Sequence, residues 1–451
     1  MSSHSDQFSP KKYQRLKGTD DIFGAEAAIY HEIEARARQV FSIFNYKEIK
    51  TPIIENKQLF THALGESTDV VQKEMYEFLD KSNEYVVLRP EGTAGIVRAY
   101  LENGLDKQEK YTKLFYTGPM FRRERPQKGR YRQFHQIGAE YLGSTSPFAD
   151  ADVIHVLTII LRVIGIDGYK LWINTLGTLE ERSKYKLSLR EYFGSQLSHL
   201  CEDCKVRYEK NVMRVLDCKN ESCQRYIHQS PTIQKFLSNE SLGHFELTKK
   251  MLSMLGIDFI ENPRMVRGLD YYSHTVFEVT HHDLGSQDAI GAGGRYDRLV
   301  DLMGGKSKGA VGFALGMERV RIVSKYEAIQ IEKPQPFVIV AFGEEALQKG
   351  FSLLGKLRSQ GIPAEMDFEG RKNLSNALAD IARRNVFFVA IIIREDEIAK
   401  DTVKIKDAYA GNEKEVGFED AISEIKLIYD RLKGTISLPS YFPVKIPKVI
   451  K

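Results

Sequence analysis

The chain has 451 residues, of which 42% are hydrophobic and 28% are charged, and it carries a formal net charge of +4. This composition is ordinary for a globular protein of two or three domains, which excludes disorder or a fibre for the chain as a whole. The small positive charge permits an RNA partner without requiring one. The first residues, MSSHSDQFSP, lack the apolar core of a secretory signal, and no run is apolar enough to span a membrane, so we expect a cytoplasmic protein without membrane contact.

The first predicted elements are a long amphipathic helix and a strand. Apolar residues recur at helical spacing over residues 25–44, and the strand-like residues 46–49 and then Pro52 follow. The periodicity does not tell whether the helix packs within its own chain or against a second copy. Further on, a short apolar strand ends in a Pro-Glu-Gly-Thr turn before another helix. Glu91 and Thr93 of this turn fit the common role of helix capping.

The central feature is a predicted hairpin, residues 114–121 and 131–141, whose loop is rich in arginine and lysine. Alternation along the second strand places on one face a set of very different side chains, namely Arg132, Phe134, Gln136, Gly138 and Glu140, beside Arg122 of the partner strand. Such a face makes a poor core and suits a ligand with phosphate, ring and amine groups. A solvated hairpin is the alternative.

After the hairpin, a helix over residues 151–164 and a strand over 169–174 lead into a polar, mostly helical insertion at about residues 183–256. All four cysteines lie in this insertion: Cys201, Cys204, Cys218 and Cys223. Their clustering argues against a disulfide framework, and four thiols fit a tetrahedral structural zinc site. Reduced thiols without metal are the alternative, since the second pair is more widely spaced than in a standard zinc ribbon.

Three further motifs follow the insertion: RMVRGLDYYSHTVFEV over residues 264–279, AIGAGGRYDRLV over 289–300 and GAVGFALGMERVR over 309–321. Taken singly, adjacent tyrosines indicate core packing and clustered glycines indicate a tight turn. Residues 326–336 read as a linker, after which strands and helices alternate as in a compact α/β domain. The predicted domains are therefore residues 1–333, with the insertion, and 334–432, before a tail at 433–451.

Taken together, these motifs resemble the histidyl-tRNA synthetase family of class II aminoacyl-tRNA synthetases. FRRERPQKGRYRQFHQIGAE resembles class II motif 2, the segment of helix and strand that leads to Pro52 resembles motif 1, and GAVGFALGMERVR resembles motif 3. RGLDYY and AIGAGGRYDRLV resemble the two histidine-specific motifs. The resemblance implies an α+β catalytic domain with a six-stranded antiparallel sheet and flanking helices, a helical insertion that reaches toward the tRNA acceptor arm, and an α/β anticodon-binding domain.

The resemblance also implies an activity, a histidine-tRNA ligase that forms histidyl-adenylate from histidine and ATP and charges tRNA(His) as a homodimer. Magnesium would accompany ATP, and any zinc would be structural. The implied catalytic residues are Arg267 and Arg122. The implied histidine-binding residues are Glu91, Thr93, Arg122, Gln136, Glu140, Arg267, Tyr271 and Tyr272, and the implied ATP-binding residues are Phe121, Arg122, Glu124, Arg130 and Arg319. Gln127 and Arg132 are candidates for contacts with the tRNA acceptor end.

Two alternatives share much of this pattern. A non-catalytic regulatory paralogue that partners ATP phosphoribosyltransferase has the same catalytic fold and binds histidine, but RGLDYY, the Glu318-Arg319 pair and the C-terminal domain favour the synthetase. Another class II synthetase with the same appended domain is disfavoured by Glu140 together with RGLDYY.

Overall fold

The computed structural model describes residues 13–66, 68–285, 288–306, 308–324, 337–369, 373–384, 389–407 and 410–435. The chain divides into two compact units, residues 1–327 and 328–451. The predicted linker lies almost wholly outside the described residues, as does nearly all of the predicted tail, so both stay predictions. Among the described helices, none is both long enough and apolar enough to cross a membrane.

The strands described in the first unit are β1 (Lys47–Glu48), β2 (Ile54–Asn56), β3 (Tyr76–Leu79), β4 (Tyr85–Leu88), β5 (Thr112–Phe121), β6 (Gln133–Leu142), β7 (Lys170–Thr175), β8 (Ile260–Glu261), β9 (Ser273–Thr280), β10 (Ala289–Arg295) and β11 (Ala310–Gly316). Its described α-helices are α1 (Gly24–Ile43), α2 (Lys57–Leu64), α3 (Thr93–Glu102), α4 (Leu105–Gln108), α5 (Pro147–Val163), α6 (Leu179–Gly194), α7 (Glu202–Asn211), α8 (Glu221–Gln229), α9 (Asn239–Met254), α10 (Arg298–Leu302) and α11 (Met317–Val323). Short 3₁₀ segments occur at Leu197–His199, Val212–Asp217, Ile233–Phe236 and His282–Leu284, and a π-helical turn at Val70–Glu74.

Eight of these strands form one sheet in the order β1-β5-β6-β11-β10-β9-β7-β8. The six strands from β5 to β7 in this order pair antiparallel, as the predicted fold class requires. The two short edge strands, β1 and β8, pair parallel with their neighbours. The strand predicted at residues 46–49 contains β1, whereas β8 was not predicted, because two residues are too few for a period-two pattern to be visible in the sequence. A separate three-stranded sheet has the order β2-β4-β3.

The hairpin β5–β6 supplies the second and third strands of the large sheet, each ten residues long. Its register sets Glu140 opposite Leu114, Gly138 opposite Tyr116 and Gln136 opposite Gly118. Because paired residues point to the same face, Glu140, Gly138 and Gln136 share that face with Leu114, Tyr116 and Gly118 of β5. A Cβ on Gly138 would stand 2.5 Å from the ring of Tyr116, so glycine makes room for that ring.

The insertion predicted at about residues 183–256 is helical, comprising most of α6 and all of α7, α8 and α9 with the 3₁₀ segments between them. Its helix α9 packs against α5 of the catalytic unit. Buried residues of the insertion, such as Leu189 and Val215, belong to the same hydrophobic cluster as Leu114 of the hairpin and Tyr272. The insertion is thus continuous with the catalytic core.

The second unit contains the strands β12 (Phe337–Ala341), β13 (Ala364–Met366), β14 (Val389–Ile393), β15 (Thr402–Asp407) and β16 (Asn412–Gly417), and the helices α12 (Glu344–Ser359), α13 (Leu374–Arg384), α14 (Glu395–Ala399) and α15 (Ala421–Thr435). Its sheet has the order β13-β12-β14-β15-β16. The first three strands pair parallel, and β14, β15 and β16 pair antiparallel. Strands β12 and β14 are buried along their whole length, as expected of central parallel strands.

Candidate active site

A cavity of about 1010 Å³, its open mouth included, lies on one face of the large sheet. Its lining comes from the hairpin β5–β6, from the loop before β9, and from β10, β11 and α11. The predicted site residues that line it are Glu91, Thr93, Arg122, Glu124, Arg130, Gln136, Arg267, Tyr271, Tyr272 and Arg319. Residues far apart in the sequence therefore converge on one space large enough for a nucleotide and an amino acid.

Glu140 lies directly behind this lining and is only 1% exposed. Its Oε1 accepts a hydrogen bond from Thr93 Oγ1 at 2.7 Å, and its Oε2 accepts one from the hydroxyl of Tyr296. Burial raises the pKa of the Glu140 carboxyl to about 8, even though both hydrogen bonds favour the charged form. A Cβ on Gly312 would stand 1.7 Å from Glu140 Oε2, so glycine at this position opens the carboxyl toward the cavity.

Glu91 is a second buried carboxyl of the site. Its two oxygens accept the backbone N–H groups of Thr93 at 2.7 Å and Ala94 at 2.9 Å, which is the capping role that the sequence offered as an alternative. A carboxylate has about four acceptor positions, so this role leaves capacity for a ligand in the cavity. Gln136 Oε1 accepts a hydrogen bond from the hydroxyl of Tyr116 at 3.3 Å, and an amide oxygen has a second acceptor position for a ligand in the cavity.

Arginines from three different elements face the cavity. Arg122 donates from Nε to the carbonyl of Pro90 at 2.9 Å, and its guanidinium lies 5.6 Å from the centre of the Phe134 ring. Arg319 donates to the carbonyls of Gly129 at 2.9 Å and Ala289 at 2.7 Å. Carbonyl partners fix both guanidiniums, and Arg122 Nη1 also lies 3.7 Å from Glu124 Oε1.

The positive charge of this region is concentrated. Burial lowers the pKa of Arg319, and the nearby charges of Arg130 and Arg122 lower it further. Arg130 pairs with the buried carboxylate of Glu124 and lies 3.6 Å from Glu74. A cluster of fixed cations of this kind suits a polyphosphate, because guanidiniums bind phosphate oxygens through paired N–H groups.

Arg267 enters the cavity from the loop before β9. Its Nη1 donates to Glu278 Oε2, and its guanidinium lies 5.9 Å from the centre of the Tyr272 ring. Among the described residues, no acceptor bonds its buried Nε. A buried donor without a partner is costly, so a group of the ligand is the natural acceptor for it.

Three predicted residues lie outside this cavity. Phe121 pairs with Gln133 and Phe134 pairs with Met120, so alternation puts the two phenylalanines on opposite faces of the hairpin. Phe134 lines the cavity, whereas Phe121 is absent from its lining. Gln127, near the hairpin tip, is exposed, and Arg132 donates from Nε to the carbonyl of Glu124 at 3.3 Å. Arg132 was expected on the face of Phe134; it lies just before β6, where its carbonyl accepts the backbone N–H of Arg122 at 2.9 Å, and it is absent from the cavity lining.

The sequence also left some site residues unassigned. Tyr296, which donates to Glu140, is the last residue of the quoted string AIGAGGRY. Glu278, which accepts a hydrogen bond from Arg267, lies eleven residues after that arginine. Alternation along β9 would have suggested Glu278, because it is a lone carboxylate in the apolar strand SHTVFEVT. Tyr296 could not be found in this way, since it lies just past the end of β10.

The four cysteines meet as the sequence predicted, and their sulfur atoms all lie within 4.8 Å of one another. Cys201 and Cys218 have their sulfurs 3.8 Å apart, close to the separation of about 3.8 Å that two thiolates have on one tetrahedral zinc ion. Backbone N–H groups of Cys201 and Asn220 donate to the sulfurs of Cys223 at 3.2 Å and Cys218 at 3.4 Å. Such donors orient metal-binding thiolates.

The antiparallel sheet, its arginine-rich hairpin and the cavity between the hairpin and α11 define the catalytic domain of a class II aminoacyl-tRNA synthetase. The family model described as histidyl-tRNA synthetase matches residues 18–193 and 194–320, and that described as anticodon binding domain matches residues 336–427. The chain belongs to the histidyl-tRNA synthetase family.

Individual relatives and a solved structure of this family are similar to the chain over most of its length. The histidine–tRNA ligase of Fervidobacterium nodosum is 44% identical over 417 residues, covering 92% of this chain and 98% of the relative. That of Thermotoga maritima is 42% identical over 407 residues, covering 90% of this chain and 96% of the relative. The crystal structure of apo S. aureus histidyl-tRNA synthetase matches with a TM-score of 0.75 and 32% identity, over 92% of this chain and 100% of that one.

Proposed function

We propose that this protein is a histidine-tRNA ligase, which activates histidine with ATP and transfers the histidyl group to the 3′ end of tRNA(His). The observation that carries the proposal is a buried carboxyl, Glu140, held by Thr93 and Tyr296 behind a cavity whose walls present fixed arginines. A carboxyl and phenols suit the two nitrogens of an imidazole ring, and the arginines suit a triphosphate.

In the first step, a carboxylate oxygen of histidine attacks the α-phosphorus of ATP. The new O–P bond forms as the bond from the α-phosphorus to the bridging oxygen breaks, and pyrophosphate leaves with that electron pair. In the second step, the terminal ribose hydroxyl of the tRNA attacks the activated carbonyl, AMP leaves, and the hydroxyl proton is released. Reactions of this kind depend on positioning and charge stabilisation, which we assign to Arg122, Arg267 and Arg319.

For substrate binding, we assign Glu91, Thr93 and Gln136 to the α-amino group, because a carboxylate, a hydroxyl and an amide oxygen can accept its N–H groups. Glu140 and Tyr272 would engage the imidazole, with Tyr296 as the additional phenol. The ring of Tyr271 packs against Tyr272 at a tilt and against Tyr296 edge-on, with ring centres 4.7 and 5.6 Å apart, which supports both phenols. A site built this way rejects ligands that leave its buried polar groups unpaired, and so needs no editing domain.

For ATP, the aromatic face belongs to Phe134 rather than Phe121, because only Phe134 shares the cavity with the arginines. Magnesium would accompany the phosphates. The carboxylates Glu124 and Glu278 line the cavity and provide the oxygen ligands that magnesium prefers, beyond their contacts with arginine. Bound there, the ion would neutralise charge on the phosphates.

We further propose one structural zinc ion on the four cysteines, because their sulfur separations fit a tetrahedral site. Elemental analysis of protein purified without a chelator should give about one zinc per chain. A stoichiometry near zero would identify the cluster as four reduced thiols.

The proposed partners are tRNA(His) and a second copy of the chain, and the proposed location is the cytoplasm. Support for a homodimer comes from apolar side chains left exposed at the end of α1 and in the small sheet, where Ile43, Ile54 and Tyr85 are 61%, 53% and 55% exposed. Sedimentation analysis of the full chain tests the dimer, and a monomer at all concentrations would exclude it.

Pyrophosphate exchange with ATP, measured for each of the twenty amino acids, tests the proposed activity. Exchange that depends on histidine alone is expected. Histidine binding without exchange would point instead to a non-catalytic regulatory protein, and exchange with a different amino acid to another class II synthetase.

A further inference from the structure

A second cavity, of about 1140 Å³ with its open mouth included, lies beside the active-site cavity. One wall is the segment of residues 14–20 before α1, and the other is the tip of the hairpin β5–β6, from residues 126–128, 130 and 131. Arg130 and Tyr131 line both cavities. This hairpin groove, defined by its two walls, therefore adjoins the space that we assign to histidine and ATP.

The wall of residues 14–20 is attached to the hairpin through Gly18. The carbonyl of Gly18 accepts the backbone N–H of Arg132 at 2.7 Å and that of Gln133 at 3.4 Å. A Cβ on Gly18 would stand 2.8 Å from Pro126 and 3.0 Å from Arg132, and its φ of +89° lies in the region that favours glycine. Glycine thus lets the two walls approach closely, and the backbone hydrogen bonds hold them together.

The wall formed by the hairpin tip is also held in place. Gln127 and Arg130 exchange backbone hydrogen bonds at 3.2 and 2.9 Å, which closes the tip. The carbonyl of Gly129, between them, accepts a hydrogen bond from Arg319 of α11 at 2.9 Å. Both walls of the hairpin groove are therefore fixed by bonds to the backbone, so the groove exists before any ligand binds.

The lining of the hairpin groove is strongly basic, with four cations, Arg15, Lys17, Lys128 and Arg130, and one acidic residue, Asp20. Arg15 lies 2.9 Å from Asp20, and Arg130 pairs with a buried glutamate. In the part of the chain that the structure describes, no carboxylate lies within ion-pair distance of Lys17 or Lys128. Each wall therefore carries one exposed lysine without a counter-charge, and the pair attracts an anion into the groove.

The chemistry of the hairpin groove favours a strand of nucleic acid over a compact anion. Exposed lysines bind the phosphates of a strand as point charges, and the partly exposed ring of Tyr131 offers a face on which an unpaired base can stack. The compact triphosphate of ATP already has its arginines in the first cavity. Because the terminal ribose hydroxyl of the tRNA has to reach that cavity, a strand lying in the adjoining groove would deliver it there.

We propose that the hairpin groove binds the acceptor end of the tRNA, with Lys17 and Lys128 contacting its phosphates from opposite walls. This inference rests on the proposed function, since it deepens the assignment of tRNA(His) as the partner. It gives a role to residues 14–20, which lie outside the three class II motifs and the two histidine-specific ones. Neither lysine takes part in the activation of histidine.

The test compares Lys17→Gln with wild type in the full-length protein, by filter binding of a tRNA(His) transcript at several salt concentrations and by pyrophosphate exchange. Loss of one phosphate contact should raise the Kd for tRNA about fivefold at 0.1 M salt and make the slope of log K against log salt shallower by about 0.7. Lys128→Gln should behave alike. Exchange should keep its wild-type kcat and its KM for histidine and ATP.

Two matched variants sharpen the result. Lys17→Arg keeps the charge and should keep the affinity for tRNA. Lys107→Gln removes an exposed lysine of α4 and should bind tRNA as wild type does. A hairpin RNA with only the acceptor stem and the 3′ end should show the same loss of affinity with Lys17→Gln as the whole tRNA, because both carry the end that the groove binds.

Several outcomes would overturn the proposal. Wild-type affinity and salt slope in Lys17→Gln would remove the groove from tRNA binding, and an equal loss in Lys107→Gln would show that only net charge matters. A raised KM for ATP with unchanged tRNA binding would make the groove part of the ATP site. Displacement of tRNA by poly-glutamate from wild type, but not from Lys17→Gln, would identify a surface for acidic proteins. Absence of histidine-dependent exchange in wild type would instead contradict the proposed function itself, so the two failures are distinguishable.

Discussion

Burial gives the carboxyl of Glu140 a raised pKa, and this suits it to binding the imidazole of histidine. With its pKa raised to about 8, the empty site holds this carboxyl mainly protonated at neutral pH. A neutral imidazole has one donor and one acceptor nitrogen, and a protonated carboxyl can donate to the acceptor or give up its proton to it. The carboxyl can thus engage the imidazole in either protonation state.

Replacing Glu140 with glutamine should lower kcat/KM for histidine by about 10²-fold, because the amide cannot exchange a proton with the imidazole and leaves buried groups mismatched. Exchange kinetics at several histidine concentrations measure this. Glu240→Gln, at an exposed position of the insertion, is the matched control. Unchanged histidine kinetics in Glu140→Gln would remove this carboxyl from the site.

The same carboxyl should also make stability depend on pH. The folded state retains the Glu140 proton between the ordinary pKa of 4.5 and about 8, whereas the unfolded state has lost it, so folding becomes less favourable as pH rises through this window. Relative to wild type, Glu140→Gln should therefore gain about 2 kcal/mol in unfolding free energy between pH 5.5 and 7.5, since one pKa unit corresponds to about 1.4 kcal/mol.

Urea unfolding of ligand-free protein, followed by the fluorescence of Trp172, measures this difference in the catalytic sheet. This tryptophan is the only one in the chain, and it lies in β7. If the difference in unfolding free energy between wild type and Glu140→Gln stayed constant across the pH range, the pKa of Glu140 would not be raised by folding.

Arg267→Lys tests whether the planar guanidinium, and not merely its charge, matters in the chemical step. Lysine cannot hold two phosphate oxygens at once, so adenylation should slow by about 10²-fold, as for the loss of one fixed electrostatic contact. Transfer from preformed adenylate should be affected much less. Pre-steady-state measurement of the two half-reactions separates these rates.

A different outcome would change the role of Arg267. If this arginine only neutralised the substrate carboxylate before reaction, Arg267→Lys would raise the histidine KM and spare kcat. Arg190→Lys, at an exposed position of α6, controls for the general effect of the substitution. A normal adenylation rate in Arg267→Lys would exclude its action on the reacting phosphate.

At the residue scale, the sequence predicted which side chains within a strand share one face, but it did not predict the positions of site residues just outside the strands. Alternation placed Phe134, Gln136 and Glu140 on one face, and the structure agrees. It could not separate the roles of Phe134 and Phe121, because the register of the two strands decides which ring faces the cavity. Tyr296 was unassigned because it follows its strand and reaches Glu140 only through the tertiary fold.

At the scale of elements, the pairing of β6 with β11 explains a glycine whose reason the sequence did not reveal. Gly312 lies opposite Glu140, and β11 passes so close to the carboxyl that no side chain fits between them. The glycine-rich strands β10 and β11 therefore serve close approach rather than a turn, which was the alternative for this composition.

Gly312→Ala should consequently displace Glu140. An added Cβ would meet Glu140 Oε2 at 1.7 Å and the carbonyl oxygen of Ala139 at 2.6 Å. We expect a loss of about 1–3 kcal/mol in stability, the usual cost of overpacking, together with a fall of at least tenfold in histidine-dependent exchange. Gly243→Ala, where nothing lies within 4 Å of the added Cβ, should retain activity. Equal activities of the two variants would contradict this account.

The insertion shows that the sequence can predict helices and strands but not the contacts between them. Its polar, helical pattern and its cysteines are visible in the sequence, and the cluster forms where the spacing suggested. Its sharing of a hydrophobic cluster with the RGLDYY loop is not visible, because contacts between distant segments leave no periodic signal. Of the small sheet β2-β4-β3, the sequence predicted β4 as the short apolar strand before the Pro-Glu-Gly-Thr turn. Its neighbours β2 and β3 were not predicted, since they have only three and four residues.

At the scale of the whole molecule, the second unit has its own core. Two hydrophobic clusters cover the two faces of its sheet, one containing Leu353 and Ile391 and the other Ile381 and Ile392. The sequence predicted the parallel strands through their apolar runs. The antiparallel β16 was not predicted, because all but its last two residues are exposed and polar. A unit with a complete core of this kind should fold without the catalytic domain.

We therefore expect that a chain shortened to residues 1–333 retains histidine-dependent pyrophosphate exchange within about tenfold of the full chain, while its charging of tRNA(His) falls by at least about 10²-fold. The physical reason is that every proposed catalytic residue lies in the first unit, whereas the matched anticodon-binding domain lies in the second. Sedimentation of the shortened chain is the necessary control, because loss of a domain that stabilises the dimer would lower both activities together. Charging at full efficiency by a shortened chain of normal oligomeric state would show that the second unit is not needed for tRNA recognition.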